Sequence, residues 1–235
     1  SLYDGITVPL PEPQSLDDIK RLPLPLRLLI LRGRPVYDLD RERLKWMYRS
    51  YYGAVSQIDR EVGLMLQALQ DAGLDENTIV VFSSDHGDQL LEHGLMGKNC
   101  FYDASVRVPL TFHYPKKVPP GQFDHLVESI DVLPTLFELA GLSEPYENQG
   151  RSLAPLITDS GKTYTPRDAV FCENVIPEVI TGGRLDFEFQ KRVGIKGIRH
   201  PDAKMVRTRR WKYNYYPEGY AELYDLQHDP REMKN

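Results

Sequence analysis

The residues best equipped for chemistry lie between Asp85 and Lys98. Asp85 and His86 are adjacent, and a carboxylate beside an imidazole can share a divalent cation, act as an acid and base pair, or cap the turn that follows. Aspartate after a strand is also a good turn residue, so the pair by itself leaves all three readings open. The next residues favour binding. Gly87 and Gly94 bracket Asp88, Glu92 and His93, and Gly97-Lys98 then brings a cation thirteen residues after Asp85. A loop dense in glycine and in both signs of charge is costly to order unless something binds there.

The elements that must position this loop can be read on either side of it. Asp40 is suited to cap a helix, and apolar or aromatic residues then recur at Leu44, Tyr48, Tyr51, Val55, Ile58, Val62, Met65 and Leu69, alternating steps of four and three. This pattern predicts one long amphipathic helix closed by Gly73. Gly53 and Gly63 within it argue for close packing against a sheet. Ile79-Val80-Val81-Phe82 is a continuous apolar run of the kind expected for a parallel strand covered on both faces. It ends in Ser83-Ser84-Asp85-His86-Gly87, where a doubly wound sheet opens a ligand crevice. A second strand is expected at Val108 to Tyr114. A short helix from Ile130 to Ala140, with Pro134 in its first turn and Gly141 after it, follows. Beyond about residue 155 the texture changes to antiparallel, with strands at Ala169 to Glu173, Met205 to Arg209, Trp211 to Tyr215 and Glu222 to Leu226. Residues 1 to 39 are proline-rich and aperiodic and read as an extended, surface-hugging connection. Three regions result: the connecting segment 1–39, an α/β part 40–155 and a smaller α+β region 156–235 with an antiparallel sheet.

At 235 residues and 41% hydrophobic, the chain can bury a sizeable core. No apolar run approaches the roughly 18 residues of a membrane span, and Ser1 to Gly5 has neither the basic nor the apolar region of a signal peptide. The net charge is −5, yet Lys191 to Lys212 holds nine Lys or Arg against the single Asp202. Without interleaved aromatic recognition residues this stretch reads as a solvated sheet face rather than a nucleic-acid surface. Cys100 and Cys172 have no metal-finger spacing and read as buried free thiols.

Several runs, taken in order, resemble the type I sulfatase family of the alkaline-phosphatase-like superfamily. They are Tyr51 to Gly63, Asn77 to Gly87, Glu92-His93-Gly94, Gly97-Lys98, Arg107-Val108-Pro109-Leu110, Ser129 to Thr135, and Glu222 to Leu226 with Asp229-Pro230. The resemblance covers roughly residues 44 to 235. It implies an alkaline-phosphatase-like doubly wound sheet followed by the smaller α+β region, and a sulfuric ester hydrolase acting on a sulfated small molecule or glycan. Asp85 resembles the family's carboxylate metal ligand and His86 the neighbouring ligand, both at the catalytic centre. Lys98 resembles the lysine that contacts the sulfate oxygens. A hard cation wants oxygen donors, and an ester gathering charge in the transition state needs compact positive charge. His93 is a weaker candidate for the substrate, since hydrogen bonding within its own loop competes. Arg107 and Asp131 read as scaffold residues.

In the family the nucleophile is a formylglycine made from a Cys/Ser-x-Pro/Ala-x-Arg motif, and neither Cys100 nor Cys172 fits it. The chain therefore resembles the C-terminal half of such an enzyme and is expected to be inactive by itself. The metal implied is Ca²⁺, with Mn²⁺ left open because imidazole is softer than calcium prefers. Two other readings remain: a phosphonate monoester or phosphodiester hydrolase on the same scaffold, and a non-catalytic sulfatase-like module. Localisation and oligomeric state are not legible.

Overall fold

A computed structural model describes residues 3–11, 22, 26, 40–174, 203–216 and 219–235. Helix α1 runs Arg41–Asp71. The Asp40 carboxylate accepts the Arg43 N–H at 2.9 Å and so satisfies one of the orphan donors of the first turn. Gly73, at φ 66°, ends the helix in the left-handed region. Both ends therefore lie where cap chemistry puts them.

The packing of α1 departs from expectation. Tyr48 is its buried residue, while Trp46, Val55, Ile58, Leu64 and Met65 are between 51% and 72% exposed. A Cβ placed on Gly53 or Gly63 would meet nothing within 4 Å. The apolar stripe exists, but no described residue packs against most of it. Strand β1 (Val80–Ser83) departs too: it pairs antiparallel with β2 (Leu110–His113) in a two-stranded sheet. Phe82 is 42% exposed, so the run is apolar without being covered on both faces by described residues.

Between β1 and β2 lie the loop from Ser84 to Tyr102 and the single helical turn α2 (Asp103–Val106). After β2, a 3₁₀ turn at Ser129–Asp131 leads into α3 (Val132–Ala140), which Gly141 closes at φ 72°. Pro134 sits in the first turn of α3, where its missing N–H costs nothing. Helix α4 (Ala154–Thr158) was not anticipated. Leu139, Ala154, Leu156 and Ile157 form one apolar cluster, with Ile79, Phe112 and Phe123 against it.

The remaining strands, β3 (Val170–Asn174), β4 (Ala203–Arg207), β5 (Trp211–Tyr216) and β6 (Tyr220–Asp225), form one antiparallel sheet in sequence order. On β5 burial alternates strictly: Lys212, Asn214 and Tyr216 point inward while Trp211, Tyr213 and Tyr215 point out. The inner face joins a second core of Leu95, Cys100, Phe101, Tyr102, Met205, Tyr216, Tyr224 and Leu226. Leu26, fully buried in the same core, shows that the proline-rich stretch is tied into the fold at that residue; most of residues 1–39 lies outside the described residues. The expected solvated basic face holds for Lys204, Arg209 and Arg210, which are 51–63% exposed, but not for Lys212 at 0% or Arg207 at 20%. Those two turn inward, where the partly buried Asp103 and the buried Glu232 pair with them. Residues 191–202 of that stretch lie outside the described residues.

Candidate functional site

Strand β1 delivers Asp85 and His86 to the mouth of a cleft of about 700 Å³, and the loop returns Lys98 to the same cleft. One Asp85 oxygen accepts its neighbour's backbone N–H at 3.0 Å, and His86 Nε2 stands 3.6 Å from the other. His86 Nδ1 lies 2.8 Å from the Gly87 carbonyl. A proton on Nδ1 donates to that carbonyl and leaves Nε2 with its lone pair toward the carboxylate side, the tautomer a metal ligand needs. The Asp85 side chain is 84% exposed. Lys98, also exposed, forms no hydrogen bond or ion pair with described residues. A carboxylate, an imidazole and an un-neutralised ammonium thus face one space.

A carboxylate oxygen and an imidazole nitrogen fit a divalent cation as one corner of a ligand set. Among the described residues no group of three His, Cys, Asp or Glu could hold a metal ion. A cation at this corner would need further donors besides Asp85 and His86.

Backbone geometry holds the loop. Gly87 N–H donates to the Ser105 carbonyl at 2.7 Å, and a Cβ on Gly87 would lie 2.0 Å from the Ala104 oxygen. Only glycine permits that approach. Asp88 Oδ1 accepts from both Leu90 N–H and Gly97 N–H at 3.2 Å, and Gln89 N–H donates to the Gly97 carbonyl at 2.9 Å. The Tyr48 hydroxyl donates to the Leu90 carbonyl, tying the loop to α1. Burial first, and then Glu92 nearby, pushes that phenol up to about 12. Leu90, Leu91, His93 and Asn99 all take positive φ. Such strain costs of order 1–3 kcal/mol per residue and persists only where surroundings over-determine it.

His93 is not brought to the cleft. Its ring is 8% exposed, stacks on Tyr102 at 3.8 Å with planes 6° apart, and points Nε2 at the carbonyls of Arg231 (3.0 Å) and Glu232 (3.2 Å). His93 hydrogen-bonds both within its own loop, with Nδ1 3.4 Å from the Gln89 side chain, and to the C-terminal segment, and it does not line the cleft to which a substrate contact was expected to bring it. Turning the Gln89 amide so that its nitrogen donates to Glu92 O and its oxygen accepts from Ser105 N leaves a donor facing His93 Nδ1. Nδ1 is then the accepting nitrogen and Nε2 the one that donates to the two carbonyls.

Beneath the loop lies a charge cluster that no local pattern in the sequence announces. Lys212, fully buried, sets its ammonium 2.9 Å from Asp103 Oδ1 and 2.5 Å from Glu232 Oε1. Arg207 donates to both Asp103 oxygens at 2.6 and 2.7 Å. Burial works against the Asp103 carboxylate, but Lys212 and Arg207 outweigh it and hold its pKa below the ordinary value. For Glu232 burial wins over Lys212, and its pKa is raised. Glu222 is buried beside this cluster and accepts from the Tyr102 hydroxyl, Asn214 Nδ2 and the Tyr216 hydroxyl at 2.8–3.1 Å.

On another wall of the cleft Glu128 accepts the Phe171 N–H of edge strand β3 at 2.7 Å. Arg167 bridges Glu128 and the fully buried Asp131. Asp131 also accepts backbone N–H groups of Glu128 and Arg151, so its role is structural. Arg107 is 74% exposed and pairs with Asp103 only at 4.0 Å. Cys100 is buried, and burial pushes its thiol up to about 11; Cys172 is half-buried. His200 lies outside the described residues.

The sulfatase family model matches residues 29–142. An endo-4-O-sulfatase of Bacteroides thetaiotaomicron is 32% identical over 217 residues, covering 90% of this chain and 41% of that protein. Among solved structures, a phosphonate monoester hydrolase from Silicibacter pomeroyi superposes with a TM-score of 0.81 at 27% identity, over 100% of this chain and 47% of its own. A putative sulfatase from Bacteroides thetaiotaomicron gives 0.76 at 28% identity, over 98% and 48%. The chain thus spans less than half the length of these relatives.

Proposed function

Because this chain belongs to the sulfatase family, we propose that it forms one wall of the active site of a sulfuric ester hydrolase. Asp85 and His86 are metal ligands, and Lys98 binds the ester's anionic oxygens. The observation that carries this reading is the convergence of the three side chains on one cleft, with the Lys98 ammonium paired to no described residue. A point-charge cation held at the end of a constrained loop is suited to oxygens that gain negative charge as the ester bond breaks. With Nδ1 committed to the Gly87 carbonyl and Nε2 to the cation, His86 takes part in the catalysis through the metal it helps to hold.

Members of the family use a divalent cation and a formylglycine. The cation, when bound, polarises the ester and supports the nucleophile. We assign it as Ca²⁺ from the hard Asp85 oxygen, with Mn²⁺ the alternative that His86 keeps open. The formylglycine belongs to a part of the protein outside these residues, since neither cysteine stands in its motif. Two features support that division: the relatives are more than twice as long, and α1 presents an apolar stripe that described residues leave mostly uncovered. In this reading residues 1–39 connect, 40–155 complete an α/β catalytic domain, and 156–235 form the α+β subdomain. The substrate is a sulfated small molecule or glycan.

The phosphonate monoester hydrolase neighbour makes a second anion worth testing. In the protein carrying this chain, Lys98→Ala should lower kcat/KM on an aryl sulfate by about 10²–10³, and aryl sulfate should be preferred over aryl phosphonate. Undiminished turnover would refute the assignment of Lys98; a preference for the phosphonate would move the enzyme to the other activity. Aryl sulfate turnover by the 235-residue chain alone would refute the division of the site.

A further inference from the structure

Glu232 grips the loop that carries Lys98 at both of its shoulders. On the near side, the Glu232 carbonyl lies 3.2 Å from His93 Nε2. On the far side, Glu232 Oε2 accepts the Asp103 N–H at 2.7 Å. Lys98 stands midway in sequence between those two contacts, five residues from each. The carboxylate is itself held, because its other oxygen is ion-paired with the buried Lys212, which also binds Asp103. Glu232 is 3% exposed and takes φ 57°, a left-handed backbone that a non-glycine residue keeps only when its surroundings demand it.

Lys98 needs such support. It is flanked by Gly97 at φ 74° and Asn99 at φ 78°, and its side chain makes no hydrogen bond or ion pair with a described residue. With no polar partner to anchor the ammonium, the loop backbone sets its place at the cleft. That backbone is pinned at Gly97 by Asp88 and Gln89 and, on both sides of Lys98, by the C-terminal segment.

We infer that Glu232 is a positioning residue for Lys98: through its backbone carbonyl and its carboxylate it clamps the 93–103 loop against the C-terminal sheet and so aims the ammonium into the cleft. The inference rests on the reading of Lys98 as the anion contact. It implies that the C-terminal segment acts on the site without touching substrate. Holding a reacting group in place is a rate effect, and a partner that orients a ligand commonly changes activity 10–100-fold.

The test uses the full protein with Glu232→Ala, Glu232→Gln and Lys98→Ala. Glu232→Ala should lower kcat/KM for an aryl sulfate about 10–100-fold. Backbone hydrogen exchange at residues 97–101 should speed up more than exchange in β4 to β6, where only the loss of the Lys212 pair is felt. Glu232→Gln keeps an oxygen for the Asp103 N–H and should recover most of both, and it serves if the alanine variant does not fold. Normal kcat/KM in both Glu232 variants, with Lys98→Ala inactive, overturns the inference and leaves the assignment of Lys98 standing. Exchange that quickens equally in the loop and in the sheet also overturns it, because Glu232 would then be only a stability residue. Full activity of Lys98→Ala overturns the underlying reading instead, whatever the Glu232 variants do.

Discussion

Replacing Lys212 with methionine tests the buried charge cluster most directly. Methionine approximates the volume of the aliphatic stem, so little cavity opens and the change is chiefly electrostatic. Lys212, Arg207, Asp103 and Glu232 carry two charges of each sign in close contact. Removing the ammonium leaves a net negative charge with Glu232 3% exposed and without its ion-pair partner. Breaking one partner of a buried pair costs about 3–5 kcal/mol, a large share of the roughly 5–15 kcal/mol that holds a typical domain together. The cost should depend on pH. Glu232 already binds its proton more readily than an ordinary glutamate, and loss of Lys212 raises its affinity further. A carboxyl whose pKa is raised by folding stabilises the fold when protonated, and that contribution is lost as pH rises through the folded value. The penalty should therefore be largest at pH 8 and smaller at pH 5. Adding Glu232→Gln should return about 2 kcal/mol by restoring charge balance between Asp103 and Arg207. Urea unfolding of the parent, single and double variants, followed by circular dichroism at both pH values, measures all three quantities. A single variant within 1 kcal/mol of the parent, or a penalty independent of pH, would refute the account.

Two further outcomes follow from single residues. Gly87→Ala drives a Cβ to 2.0 Å from the Ala104 carbonyl and strains the Gly87–Ser105 hydrogen bond; a loss of about 2–4 kcal/mol is expected, and an unchanged melting temperature would show that the backbone yields freely. Cys100, with its thiol pushed up to about 11 by burial, should resist iodoacetamide at pH 8 while the half-buried Cys172 reacts. Mass mapping of native and unfolded protein distinguishes the two. Because the raised thiol favours the fold only while protonated, stability should also decline between about pH 9 and 11, and Cys100→Ala should flatten that decline.

Much of the candidate site was legible because its signals are local. Asp40 and Gly73 mark the ends of α1 through cap chemistry that involves only neighbouring residues. The change from Ile79-Val80-Val81-Phe82 to Ser83-Ser84-Asp85-His86-Gly87 marks where a strand gives way to a polar loop. The spacing from Asp85 to Lys98, with glycines at 87, 94 and 97, marks that loop as one able to fold back on itself. Resemblance then supplied roles for Asp85, His86 and Lys98 that residue types alone left open among three chemistries.

What was not legible depends on distance in sequence. The grip of Glu232 on His93 and Asp103 spans more than 120 residues, and no local pattern encodes it. The alternation of β5 announces two faces but not which is inner, and aromatic content alone favours the wrong one. Lys212 and Asn214 turn inward because Asp103, Glu232 and Glu222 meet them there. The apolar run of β1 was consistent with parallel neighbours, whereas its described partner is antiparallel β2. Sequence by itself determined where the chain turns and which groups stand at the mouth of β1, because caps, glycines and strand ends act over a few residues. Only the tertiary structure decided that His93 faces the C-terminal segment while Lys98 faces the cleft, because the burial and pairing that separate them come from residues far along the chain.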